Sequence, residues 1–245
     1  FLFLYKNNAK NYVFPSITQS LELIKFSWPE IFAGLVLMVQ ARIDQVMIAN
    51  LMTSKDVGYY SVSLMIIEGL CFLPMILLST LTPKIIDSRK ISKQLYKENL
   101  INFYRMNVFI FIITFLPIIF LAKIIVNLLF GDQYFNSILI LQIMSFRIFF
   151  ACLGVSRSIY ILSENLLKFS LITMTIGAAV NILLNYIWIP VYGSIGAIYA
   201  SYISLFITIF AIDLFYSKTR NNTKLLIISI FTFYKMFYFS SKNAK

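Results

Sequence analysis

Apolar residues run in blocks of about twenty, separated by short polar segments, along nearly the whole chain. They show neither the two-residue alternation of half-buried strands nor the narrow stripe of a surface helix. Blocks of this length suit a helix crossing about 30 Å of hydrocarbon. The pattern predicts six membrane-spanning helices, at 26–49, 58–82, 106–122, 137–160, 169–190 and 194–216. The fold class is therefore all-α, a polytopic membrane helical bundle. Residues 1–25 are expected to hold the end of a preceding span and a linker, 26–216 the six-helix lobe, and 217–245 a basic tail. Phe1-Leu2-Phe3-Leu4-Tyr5 reads as the tail of that preceding span rather than as a signal peptide.

Short links separate the blocks: Asn50 to Val57, Ser163-Glu164-Asn165 and Val191-Tyr192-Gly193. Two are expected to be longer, a basic connector from Pro83 to Arg105 and an irregular loop from Lys123 to Asn136. Pro74 and Pro117 lie inside blocks and are expected to kink them. Leu225 to Phe239 is apolar but interrupted by Lys235, and reads either as an interfacial helix with a snorkelling lysine or as a seventh span.

Composition agrees with the pattern. The chain is 60% hydrophobic and only 13% charged, with mean hydropathy +0.82, far from the balance of soluble domains. Net charge is +11, yet the excess lies between apolar blocks, which argues for membrane topology and against nucleic-acid binding. Fifteen basic residues fall on one side of the six spans: Lys6, Lys10, Lys25, Lys84, Arg89, Lys90, Lys93, Lys97, Arg105, Lys168, Lys218, Arg220, Lys224, Lys242 and Lys245. Lys55 and Lys123 fall on the other. By the positive-inside rule the rich side is cytoplasmic, and both ends of the chain lie there.

Ionisable groups inside the bilayer are costly and so mark candidate function. Glu68 and Arg147 lie deepest in their blocks; Arg42 and Asp44 lie one to two turns from the outer end of the first. Two residues apart, Arg42 and Asp44 point about 200° away from each other. Asp44 is accordingly given a paired, structural role and Arg42 a cavity role. Arg147 reads either as a cavity residue gripping an anion through its planar fork, or as the buried partner of Glu68. Arg157 lies near the cytoplasmic end, as an anchor or a further anion contact, while Asp213 and Lys235 lie near ends where they can reach water. Asn181 and Asn185, four apart on one face, read as interhelical hydrogen-bonding groups or as sugar contacts. Gly177-Ala178-Ala179 in the fifth block and Gly196, Ala197, Ala200, Ser201 and Ser204 in the sixth mark close helix packing. Tyr59-Tyr60, Trp28, Trp188 and Tyr192 fall at expected interfaces. Cys71 and Cys152 sit in apolar blocks as packing residues. With no His, no glycine-rich phosphate loop and no metal-type spacing, neither an enzyme nor a cofactor or metal is expected.

Asn181-Ile-Leu-Leu-Asn185-Tyr-Ile-Trp-Ile-Pro190-Val-Tyr192-Gly193-Ser-Ile-Gly196-Ala197 resembles the N-x-x-x-N-x-x-x-I-P-x-x-G-x-x-G-A signature of bacterial polysaccharide exporters. These belong to the multidrug/oligosaccharidyl-lipid/polysaccharide superfamily. Ile43-Asp44-Gln45-Val46-Met47-Ile48, Val57-Gly58-Tyr59-Tyr60, Thr82-Pro83-Lys84 and Leu129-Phe130-Gly131-Asp132-Gln133-Tyr134 resemble its other landmarks, in order. The likeness covers most of residues 15–216 and is nearest to O-antigen flippases.

The resemblance implies one lobe of a two-lobe transporter in the bacterial inner membrane. Its substrate would be an undecaprenyl-pyrophosphate-linked oligosaccharide, flipped to the periplasmic leaflet by alternating access driven by protons or Na⁺. Arg147, Arg42 and Arg157 would then face the anionic head group, and Glu68 or Asp44 would couple the ion or pair charges. Membrane lipids and a polysaccharide polymerase with its assembly proteins are the expected partners. Related teichoic-type or lipid II exporters, and multidrug/cation antiporters of the same superfamily, are the alternatives.

Overall fold

The structure, a computed structural model, describes residues 16–236; the expectations for residues 1–15 and for the end of the tail lie outside them. All regular elements among the described residues are helical. The first, α1, spans Ile17–Leu51. It is followed by α2 (Ser54–Leu70) and α3 (Phe72–Ile91), then α4 (Lys93–Phe130). After these come α5 (Ser137–Met144), α6 (Arg147–Ser163) and α7 (Leu167–Phe206). A π-helical turn, Ile207–Ala211, leads from α7 into α8 (Ile212–Phe215), and α9 covers Ser217–Phe231.

Four stretches are long and apolar enough to cross a membrane: Ser54–Ile91, Lys93–Phe130, Ser137–Ser163 and Leu167–Phe215. The last, 49 residues, would measure about 73 Å if straight, over twice the hydrocarbon thickness. It is a hairpin. Gly193 leaves the helix with φ +61° and ψ −145°, a conformation that favours a residue without Cβ. Beyond it the chain returns antiparallel. Ser201 accepts from Asn181 at 3.2 Å, Ser204 donates to the Gly177 carbonyl at 2.7 Å, and Thr208 donates to the Thr173 carbonyl at 3.5 Å. With α1 and the two hairpin arms, the bundle makes six long passes.

The hairpin closes this tightly because its contact residues are small. A Cβ on Gly196 would lie 2.5 Å from the Trp188 carbonyl oxygen, and one on Gly177 would overlap Thr208 Oγ1. In lipid no hydrophobic effect draws helices together, so close backbone approach and hydrogen bonding do that instead.

Several boundaries differ from expectation. Pro83 lies inside α3 rather than opening a connector, so the basic segment is the helical continuation of two spans. The break is confined to Ser92, whose hydroxyl accepts from the Leu95 amide at 3.0 Å as an N-cap. The irregular loop expected at Lys123–Asn136 is shorter, because Ile124 to Phe130 prolongs α4 until Gly131 turns the chain at φ +85°. A single lysine in an apolar run does not end a helix when its side chain is exposed, as that of Lys123 is. Helix α1 begins at Ile17, inside the expected linker. Pro74 stands in the first turn of α3, beside the Cys71 break in the second pass, while α4 runs unbroken through Pro117.

The turns gather at two ends. Arg89 meets Glu164 at 2.8 Å, Tyr96 bonds Ser163, and Tyr160 donates to the Lys218 carbonyl, all at the end carrying the basic segments. At the opposite end the Tyr59 and Tyr134 rings meet edge to face at 6.2 Å, and Met52 lies against Gly193. Helix α9 has 15 residues, about 22 Å and shorter than the hydrocarbon thickness. It buries Thr219, Asn222, Thr223, Leu226 and Ser229 against the bundle and leaves Ile227, Ile228 and Phe231 exposed. Tyr104 donates to Asn222, and Arg105 to Thr232 at 3.1 Å, fixing α9 and the turn after it to the basic end of α4.

Candidate functional site

One polar centre is built on Asp44, which is fully buried on the inward face of α1. Tyr60 of α2 donates to it at 2.9 Å, Asn185 of the first hairpin arm at 2.7 Å, and Ser201 of the second at 2.6 Å. Arg147 approaches the same carboxylate at 3.7 Å. One carboxylate thus ties four other passes to the first. Asn185 also donates to Asn181 at 3.3 Å, and both asparagines are fully buried. One turn along α1, Gln40 donates to Ser204 at 2.9 Å. These polar groups join α1 to both hairpin arms over one turn, as packing in lipid requires.

Arg147 owes its position to a break in the fourth pass. Helix α5 ends at Met144 and α6 begins at Arg147. Between them the amides of Phe146, Ile148 and Phe149 reach carbonyls only three residues back. The Ile143 carbonyl is taken up by the Tyr202 hydroxyl, as a broken helix in a membrane needs. The Arg147 guanidinium donates no hydrogen bond among the described residues beyond its ion pair with Asp44, and its side chain keeps 19% exposure. Most of its donors are therefore uncommitted.

Arg42 and Glu68 form a second pair at 3.2 Å, with side chains 60% and 40% exposed. Arg42 also donates to Gln45, which donates to Ser61. Arg42 and Asp44 thus point to opposite sides of α1. Glu68 pairs with Arg42, and Arg147 pairs with Asp44, so the expected alternative of a buried Arg147–Glu68 pair is not the arrangement found.

Arg157 is placed differently from a head-group contact. It is buried and grips Asp213 with two parallel bonds, Nε to Oδ2 at 2.8 Å and Nη2 to Oδ1 at 2.9 Å. Thr173 accepts at 3.0 Å and Ser170 at 3.4 Å, and the Phe169 ring lies 5.8 Å from its Cζ. Asp213, expected to reach water, is fully buried. Here the guanidinium is engaged in joining α6 to both hairpin arms. Sequence reasoning missed this pairing. Its only signal was a carboxylate and an arginine at matching depths in the fourth and sixth passes.

Cys71, at the break between α2 and α3, and buried Cys152 are both free thiols. Among the described residues no group of His, Cys, Asp or Glu is gathered as for a metal ion.

Long apolar helices closed around buried charged centres define a multi-pass membrane protein. A family model described as polysaccharide biosynthesis protein matches residues 3–139, more than half of the chain. The chain belongs to that family. No curated protein and no solved structure matches it.

Proposed function

We propose that this protein carries an anionic lipid-linked oligosaccharide, of the O-antigen repeat-unit type, from the cytoplasmic to the outer leaflet of the bacterial inner membrane. The observation that carries the reading is the pair of arginines within the apolar passes. Arg147 is engaged on one side only, and Arg42 with Glu68 is exposed. Arg42 lies nine residues from the end of α1, about 14 Å along the helix axis. An exposed ion pair at that depth is costly against lipid, so this face of α1 and α2 meets water or protein. An arginine there binds a phosphate or pyrophosphate through its planar fork without losing its proton. Glu68, exposed beside Arg42, is the carboxylate available to a coupling proton or Na⁺, whereas Asp44 is committed to its bonds within the bundle. A cation exporter would favour carboxylates with no arginine beside them, and here each has one.

The test is deletion of the gene in its own host. Lipid-linked oligosaccharide should accumulate on the cytoplasmic leaflet while surface polysaccharide falls, and the intact gene should restore both. Normal surface polysaccharide with no accumulated precursor would refute the reading.

A further inference from the structure

The end of the bundle opposite the basic segments carries a cavity of about 500 Å³, where the turn after α1, the turn before α5 and the Gly193 reversal meet. Its size lies within the usual range of small-molecule sites, about 300–1,000 Å³. The lining combines the Tyr59, Phe135 and Tyr192 rings with Asp56, Asn136 and Gln142. No lysine, arginine or histidine contributes.

The lining polar groups are only partly engaged. Asp56 uses Oδ2 to cap the Thr53 amide at 3.1 Å, and its Oδ1 accepts nothing among the described residues. Gln142 donates to the Ile119 carbonyl at 2.9 Å, while its Oε1 has no partner there. Asn136 makes no side-chain hydrogen bond among the described residues, and Phe135 and Tyr192 are 62% and 61% exposed. The Tyr59 ring is held edge to face by Tyr134. Tyr192 also borders a neighbouring groove of about 340 Å³, lined with Trp188 and Tyr199.

Aromatic faces beside uncommitted oxygens and an amide match one ligand chemistry in particular. A sugar ring presents an apolar C–H face that stacks on an aromatic ring, and hydroxyls around its edge that donate to carboxylate and amide oxygens. Without a cation in the lining, nothing there favours a phosphate.

We infer that this cavity is a carbohydrate subsite which receives the sugar portion of the ligand whose phosphate lies at Arg147. The inference rests on the proposed transport reading and extends it. Met52 at the cavity, the first residue past α1, is eight residues from Asp44, about 12 Å. A head group at the charged centre would therefore extend its first sugars toward the cavity.

The test uses the full-length protein in nanodiscs with Cys71→Ser and Cys152→Ala, and a reporter thiol at Leu139→Cys, which lines the cavity. Three probes are compared: the host's lipid-linked oligosaccharide, the oligosaccharide released from it by mild acid, and undecaprenyl phosphate without sugar. Both sugar-bearing probes should slow labelling of the reporter, and the sugar-free lipid should not. Phe135→Ala and Tyr192→Ala should each weaken protection by the released oligosaccharide at least tenfold, with Lys97→Ala, exposed at the opposite end, leaving that protection unchanged. If the lipid-linked form binds through Arg147 but neither sugar-bearing probe slows labelling, the subsite is refuted and the transport reading stands. Equal protection by the sugar-free lipid also refutes it. If no probe binds at all, both fail.

Discussion

Arg147, at the break in the fourth pass, faces Asp44 of the first at 3.7 Å, and that carboxylate already accepts hydrogen bonds from Tyr60, Asn185 and Ser201. Asp44 is saturated and Arg147 is not. The pair therefore divides its work: the carboxylate holds the bundle and the arginine keeps donors for a ligand.

Removing Asp44 should be a structural lesion. Asp44→Ala leaves the Arg147 charge and three neutral donors without their acceptor, at a cost of about 3–5 kcal/mol for breaking one side of a buried pair. Membrane abundance and melting temperature should both fall. Asp44→Asn with Arg147→Gln should recover abundance while export stays lost, as immunoblots of membranes and surface-glycan staining would show.

The Arg42–Glu68 pair should behave in the opposite way. Exposed pairs contribute about 0–1 kcal/mol, so Arg42→Ala should leave abundance and melting temperature nearly unchanged. Export should fall severalfold, measured as surface polysaccharide per unit of membrane protein. A large loss of abundance would show that Arg42 belongs to the scaffold.

Arg157 should tolerate an apolar replacement of the whole pair better than a charged half of it. Arg157→Lys keeps the charge but loses the fork onto Asp213 and should lower the melting temperature. Arg157→Met with Asp213→Leu should recover much of that loss, since well-packed apolar side chains often replace a buried pair without penalty.

The hairpin makes a steric prediction. Gly196→Ala sets a methyl 2.5 Å from the Trp188 backbone oxygen, so the arms must part, at about 1–3 kcal/mol for overpacking. Gly69→Ala meets nothing within 4 Å and should leave the melting temperature unchanged or slightly raised.

These residues also show what was legible in advance. Apolar block length located the six passes, and Gly193 after Val191-Tyr192 marked the reversal. The two-residue spacing of Arg42 and Asp44 separated their directions, because helix periodicity is local. Pairings were not legible, because they depend on which passes are neighbours and how each is rotated. Depth alone matched Arg147 with Glu68, while rotation of α1 brought Asp44 to it. The break at Ser145 and Phe146 carries neither proline nor glycine, and it shows only once Tyr202 is seen to take up the freed carbonyl. Helix ends were misplaced where a charge was read as a boundary, as at Lys123.

The fifteen-to-two division of basic residues predicts that the basic end faces the cytoplasm. Single cysteines at Ser92 and Ser217, both exposed, should resist an impermeant thiol reagent in intact cells, and one at Asn136 should react. Labelling of Ser92→Cys from outside would invert the orientation.

The most direct measurement is export of lipid-linked oligosaccharide by Arg147 variants, each normalised to its amount in the membrane. Arg147→Lys retains the charge without the fork and should keep part of the activity. Arg147→Ala should abolish export while most of the protein still reaches the membrane, because Asp44 keeps three other donors. Loss of export that merely follows loss of abundance, with both recovered in Arg147→Ala/Asp44→Ala, would contradict a ligand-binding arginine at the centre of this bundle.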